Sequence, residues 1–370
     1  MKLPLISVLI PVYRESEQLE SLLDQLLEEP YEKKEVIVVI DEPTEKSLKL
    51  ADKYKDKVKF IFNKTRLGKV TALNNAVKQA SGEILVFIDS DIAQIKPKNS
   101  FLAEIARATN HYEVVEMSKR VFRKGVLSRL VHYDYLSYSA INWVFSRKLS
   151  KCLAVNGAAF AIKKSAFEKI GGFSRVVCED LDIGTKSYLH GMKYIFLNNL
   201  SVYMPAPPSW KTWFKQRRRW GYGVAQWIFK YWKELAKFVK ENPLLTILGL
   251  LMLIPSLAIF FIFISLSLTL GEYLVVTFIL LTALKYDPIL IILVLISLGY
   301  SLYRNLIPLV IATAAIMAVF YSFARKLEYE FKIYEFLLYY FIYSPIWFLI
   351  LILSFIRVST KKEPPRDWKV

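Results

Sequence analysis

Glu83-Ile84-Leu85-Val86-Phe87-Ile88-Asp89-Ser90-Asp91 decides the fold, because a short unbroken apolar run delivers two carboxylates at its end. The run is too short for an amphipathic helix and suits a strand buried on both faces, as in a parallel sheet. Toward the N-terminus, Glu35–Ile40 repeats the pattern and ends at Asp41, while Leu5–Val12 and Val58–Phe62 are further runs of strand length. Between them, Glu15–Glu29, Thr44–Lys55 and Lys69–Gln79 read as helices. Strands alternating with helices predict an α/β domain, a mostly parallel sheet with flanking helices. Such sheets bind ligands beyond the carboxyl ends of their strands, which is where Asp41 and Asp89 fall. Neither a Gly-x-Gly-x-x-Gly nor a Gly-x-x-x-x-Gly-Lys-[Ser/Thr] motif occurs, so something other than a glycine cradle must neutralise any phosphates.

The rest of the chain changes solvent. Its 370 residues are 54% apolar and 22% charged, with a net charge of +17, and the mean hydropathy is +0.30. The apolar fraction excludes a disordered chain. Two cysteines, Cys152 and Cys178, cannot build a disulfide framework, and no zinc-type spacing exists. The composition breaks at Asn242-Pro243: the first 242 residues hold 40 basic and 26 acidic side chains. Beyond the break, Leu244–Leu270, Leu306–Phe323 and Phe336–Ile356 are charge-free, and Leu274–Tyr303 is interrupted by Lys285-Tyr286-Asp287-Pro288. Segments of about 20 apolar residues cross a bilayer. The expected organisation is a catalytic domain over 1–207, an amphipathic interfacial segment over 208–242, about four passes over 243–358 and a tail over 359–370. Lys361, Lys362 and Arg366 after the last pass place the tail and the N-terminal domain on the cytoplasmic side of a multi-pass cell-membrane protein. The opening Met1–Tyr13 reads as a strand, not as a signal peptide.

Three further features carry chemistry, and each has a plain alternative. Asp89 and Asp91 share one side of an extended chain, so both can face a divalent cation, or they can form a solvated turn. Glu179-Asp180 opens a helical stretch after Gly171-Gly172-Phe173 and suits either an acidic first turn or a general base. Gln216-Arg217-Arg218-Arg219-Trp220 lies where Trp213, Trp220 and Trp227 recur every seven residues, as an interfacial helix would have them. The stretch holding Tyr133, Tyr135 and Tyr138 reads as packing or membrane contact.

Taken in order, Asp41, Asp89-Ser90-Asp91, Glu179-Asp180 and Gln216-x-x-Arg219-Trp220, followed by apolar passes, resemble the family-2 inverting glycosyltransferases. The cellulose synthase, hyaluronan synthase and ceramide glucosyltransferase branch is the most similar. Ile10–Ser16, Arg66–Val77 and Asn156–Phe173 extend the resemblance over Leu5 to Trp232. It implies a GT-A-like fold and transfer of a sugar from a UDP- or GDP-linked donor, with Mg2+ or Mn2+ as cofactor. It implies that Asp41, with Tyr13 and Glu15 nearby, holds the base and ribose. Lys69, Asp89 and Ser90 would face the nucleotide sugar, and Asp91 with Asp89 the metal. Asp180 would be the catalytic base with Glu179 beside it, and Gln216, Arg219 and Trp220 would hold the diphosphate and the acceptor. Ile40-Asp41-Glu42-Pro43-Thr44 departs from the family's paired Asp followed by Gly-Ser. A membrane part this small implies a lipid-borne acceptor, polyprenyl phosphate or glycolipid, with a processive polysaccharide synthase as the alternative. Membrane lipids are expected partners. Nucleic acid is not, because the positive charge is spread over many helices beside a membrane-length run. A transporter has only Lys285 and Asp287 to recommend it.

Overall fold

The computed structural model describes residues 3–261, 274, 278 and 289–360. Two compact units result: one runs to Glu241 and takes back the chain from Leu349, and the other is Asn242–Phe348.

The first unit is built in the order β1 (Ile6–Tyr13), α1 (Leu19–Glu28), β2 (Lys34–Asp41), α2 (Glu45–Tyr54), β3 (Lys59–Asn63), α3 (Lys69–Lys78) and β4 (Ile84–Ile88). It continues through β5 (Gln94–Lys96), α4 (Phe101–Thr109), β6 (Val114–Val121), α5 (Val126–Leu149), β7 (Ala159–Lys163), α6 (Lys164–Lys169), α7 (Glu179–Leu189), β8 (Tyr194–Met204), α8 (Trp210–Lys230) and α9 (Trp232–Glu241). One sheet of eight strands has the order β3-β2-β1-β4-β7-β6-β8-β5. The pairings of β1, β2, β3 and β4 are parallel, as is that of β6 with β8. The strands β7 and β5 run against their neighbours. The sheet is therefore mostly parallel, as the alternation predicted, with β7 inserted antiparallel at its centre.

Burial explains why the apolar runs became strands. Every residue of β4 is buried, and Val36 to Ile40 in β2 are at most 3% exposed. The register aligns Tyr13 with Asp41 and Asp41 with Asn63, so the polar ends of β1, β2 and β3 lie level at one edge. Beneath the neighbouring end of β4, Phe87 packs on Phe160, Phe167 and Phe173 with ring centroids 4.9–5.5 Å apart. That cluster seats β4, β7, α6 and the segment leading to α7 on one apolar floor.

In the second unit α10 (Pro243–Leu253) ends before Ile254-Pro255. Proline offers no N–H and biases the residue before it away from the helix, and Ile254 sits at φ −137°, ψ 66°. Eleven residues span about 17 Å, roughly half a bilayer core, and the chain returns to helix at Ser256, so the run expected to cross from Leu244 is interrupted at Pro255; its continuation beyond 261 lies outside the described residues. The helix α11 (Ile289–Lys326) is continuous through Arg304 and Pro308, where the sequence suggested a boundary between two passes. The helix α12 (Ile333–Leu338) leads through a π-helical turn, Tyr339–Tyr343, into α13 (Ser344–Ser359), which ends in the first unit. Among the described residues two helical stretches, Leu306–Lys326 and Ile333–Ser359, are long and apolar enough to cross a membrane, against about four passes expected. The Lys285–Pro288 interruption, the connector 271–273 and the basic tail from 361 lie outside the described residues.

Candidate active site

Asp89 follows β4 directly, and its backbone N–H donates to the Ala158 carbonyl at 2.9 Å, which ties the end of β4 to the start of β7. Its carboxylate meets the Lys69 ammonium at 2.7 Å. The same ammonium lies 3.0 Å from Glu179, at the first position of α7. Lys69 thus bridges the end of β4 and the start of α7. Burial alone would lower its pKa, but Asp89 and Glu179 overcome this and raise it, so the side chain is a permanent cation.

Asp180 stands beside Glu179 on the same wall as Lys69, Asp89 and Gly157. It accepts hydrogen bonds from the Gly157 amide at 3.0 Å and from its neighbour Leu181 at 2.9 Å. A side chain at 157 would bring its Cβ to 2.9 Å from the Cβ of Asp180, so glycine is what admits the carboxylate here. Burial and the adjacent Glu179 push the Asp180 carboxyl up to about 6, against the pull of Lys69 and the two amides. Asp91, exposed at the rim, is also raised to about 6, by desolvation and then by Asp89, while Lys69 and Arg219 pull it down. Arg219 on α8 is exposed and within electrostatic reach of both Asp91 and Cys178. Burial pushes the Cys178 thiol well up, which leaves it protonated and a poor nucleophile.

These contacts bring Lys69, Asp89, Glu179 and Asp180 to one crevice, with Asp91 and Arg219 within electrostatic reach of its charges. The other expected residues sit differently. Asp41 is buried and its oxygens are taken by Asn63 at 2.8 Å and by the amides of Leu67 and Gly68 at 3.0 and 2.9 Å. Gly68, at φ +93°, turns the chain so that its amide reaches Asp41 and Lys69 opens α3. Asp41 therefore acts on the crevice through the backbone that presents Lys69. Exposed Tyr13 hydrogen-bonds to Glu42, and Glu15 accepts from Thr44 at 2.8 Å. The Ser90 carbonyl accepts from the Ser16 hydroxyl at 2.6 Å. Gln216 and Trp220 lie half-buried one turn apart on α8.

The anchor of that helix is a residue that no sequence motif singled out. Arg217, 1% exposed, forms a 2.6 Å ion pair with buried Asp134 on α5, and its guanidinium lies 4.2 Å over the Trp220 ring. Farther along, Trp227 donates to Thr185 at 2.8 Å, and Lys230 and Tyr231 reach Asp182, fastening α8 to α7. The one signal in the sequence was Asp134 within the Tyr-rich stretch. Burial of Tyr133 and Tyr135 makes that stretch a packing face.

Among the described residues no group of three or more His, Cys, Asp or Glu side chains could hold a metal by itself. Asp89 and Asp91 nonetheless fit Mg2+ or Mn2+, which bind through one or two carboxylates and complete their shell with phosphate and water. Desolvation and then the neighbouring Asp89 charge raise Asp91, and a divalent ion bound between the two carboxylates would offset both.

A crevice at the strand ends of an α/β sheet, with paired carboxylates, a carboxyl of raised pKa and an arginine within electrostatic reach, has the groups a group-transfer enzyme requires. A family model described as glycosyltransferase like family 2 matches residues 4–223, and the chain belongs to that family. It is 24% identical over 255 residues to the probable glycosyltransferase YdaM of Bacillus subtilis, covering 65% of this chain and 59% of that one. It is 28% identical over 224 residues to the poly-beta-1,6-N-acetyl-D-glucosamine synthase of Staphylococcus aureus, covering 59% and 54%. The chain thus spans little more than half the length of these curated relatives. Among solved structures, the mannosyltransferase PcManGT from Pyrobaculum calidifontis, in complex with GDP-Man and Mn2+, matches 97% of this chain and 88% of its own at a TM-score of 0.54 and 20% identity. That likeness confirms the GT-A-like fold.

Proposed function

We propose that this chain moves a sugar from a UDP- or GDP-linked donor to a lipid-borne acceptor, a polyprenyl phosphate or glycolipid, with inversion at the anomeric carbon. The observation that carries the reading is the meeting of Asp180, Glu179, Lys69 and Asp89 in one crevice, with Asp180 raised to about 6. A polyprenyl phosphate oxygen attacks already ionised, whereas a glycolipid hydroxyl must lose a proton, and a carboxylate tuned toward neutrality is the base that hydroxyl needs, a contribution of about 10²–10⁴-fold. As that hydroxyl attacks from one face, the C–O bond to the diphosphate breaks on the other, and charge collects on the leaving phosphate. Lys69 and Arg219 would be the cations that meet it, and such preorganised charges are commonly worth about 3–4 kcal/mol each. Arginine adds a planar fork that matches phosphate oxygens. Asp91 and Asp89 would hold Mg2+ or Mn2+, which supplies further charge stabilisation when bound. A nucleotide sugar and a divalent ion are also what the Pyrobaculum protein was solved with. Trp220 offers an apolar face to an acceptor ring.

Two helices of membrane length and the exposed Trp210, Phe214, Phe229 and Trp232 of α8 and α9 support a membrane protein, and the basic residues after the last apolar run are the ground for placing its catalytic domain at the cytoplasmic surface. Incubating membranes with a panel of UDP- and GDP-sugars and measuring nucleotide release tests the reading. Wild type should release nucleotide from one donor, and Asp180→Asn should lose nearly all activity while remaining folded. The polymer-synthase relatives favour a second reading, a processive polysaccharide synthase. Sizing the product separates the two: a single sugar on lipid is expected, and a ladder of lengths would replace it with the polymer.

A further inference from the structure

A second cluster occupies the sheet edge beyond β1 and β2, apart from the acids of the crevice. Arg14 and Glu42 follow those strands directly, and both are left-handed, at φ +63° and +53°. Non-glycine residues adopt this conformation at a cost, and it persists where the surroundings impose it. Here the Arg14 amide donates to the Asp41 carbonyl at 2.8 Å and the Glu42 amide to the Asn63 carbonyl at 2.9 Å. The turn leaves Asp41 buried and brings half-buried Glu42 to the rim. The Glu42 carboxylate is braced at both corners. The Tyr13 hydroxyl donates to Oε2 at 3.2 Å, and the Arg66 amide donates to Oε1 at 3.1 Å. The Arg66 guanidinium lies 4.5 Å over the exposed Tyr13 ring.

We propose that Glu42, braced by Tyr13 and Arg66, selects the base of the donor nucleotide, and that the base is guanine. The inference rests on the nucleotide-sugar reading and adds the base to it. Each carboxylate oxygen has two lone pairs, so both retain acceptor capacity after the bonds to Tyr13 and Arg66. Two acceptors side by side match the adjacent N1–H and N2–H donors of guanine, and the guanidinium suits the neighbouring O6. Uracil offers a single N3–H between two carbonyls, one of which would face the second carboxylate oxygen. Adenine and cytosine each set a donor beside a ring nitrogen that accepts. Guanine alone fills both oxygens. The Tyr13 ring adds a plane on which a base can stack. Asp41, expected from the resemblance to hold the base, is buried, with Oδ2 taken by the Leu67 and Gly68 amides and Oδ1 covered by Asn63.

The test is calorimetric titration of the full-length protein in detergent with GDP, IDP and UDP, each with Mn2+. IDP differs from GDP only in lacking the N2 amino group. GDP is expected to bind about tenfold or more tightly than either IDP or UDP, the usual scale of one hydrogen bond to a charged group. In Glu42→Gln the GDP preference over IDP should shrink to twofold or less, with UDP affinity little changed. A purely structural Glu42 would not distinguish GDP from IDP. Wild-type protein that binds UDP as tightly as GDP overturns the inference and leaves the transferase reading standing, as does a GDP–IDP gap untouched in Glu42→Gln. Failure of all three nucleotides to bind overturns the nucleotide-sugar reading and the inference with it.

Discussion

Asp180 has conflicting neighbours, and its chemistry comes from that conflict. Glu179 and burial resist its ionisation, while Lys69 and the amides of Gly157 and Leu181 favour it, and the balance leaves it near 6. The sign of the pH effect follows. Between the ordinary carboxyl value of 3.8 and about 6 the folded protein keeps a proton on Asp180 that the unfolded chain has lost, so that proton favours the fold. Above about 6 the ionised carboxylate costs stability and supplies the base. The rate at low acceptor concentration should therefore fall about tenfold per unit as pH drops below about 6, and a pH–rate profile reads this directly. Asp180→Asn should match or exceed the wild type in apparent Tm at pH 7.5, because it removes a charge that the crevice disfavours.

At the scale of elements, strand ends and helix starts bring the site together. The segments β4, α3 and α7 each contribute one charged terminus, joined by Lys69. The helix α8 adds Arg219 and depends on α5, because buried Arg217 holds Asp134 on one side and stacks on Trp220 on the other. Removing one partner of a buried ion pair typically costs about 3–5 kcal/mol. Asp134→Ala should lower the apparent Tm by several degrees and weaken catalysis more than Asp134→Asn, measured by thermal unfolding and nucleotide release. The acids of the crevice were legible in the sequence because strand ends are: ILVFI and VIVVI are buried runs that stop at carboxylates. The Arg217–Asp134 pair was not, because its partners lie 83 residues apart and no local period links them. The antiparallel β7 was hidden for the same reason, since buried strands look alike in either direction. Asp41 looked free to bind ligand because sequence does not show which backbone amides turn toward a side chain.

For the molecule as a whole, charge and hydropathy divide the labour. The basic first part carries the family match over residues 4–223, and the apolar remainder contains two helical stretches of bilayer length among the described residues. Hydropathy located these stretches to within three residues at either end, but it did not show that Pro255 interrupts the preceding run or that the helix holding Pro308 begins already at Ile289. The central claim is a single displacement in which Asp180 takes the acceptor proton and no sugar becomes bonded to the protein. NMR of the first product formed from a donor of known anomeric configuration tests it most directly. The product should carry the opposite configuration; retention would contradict a single displacement.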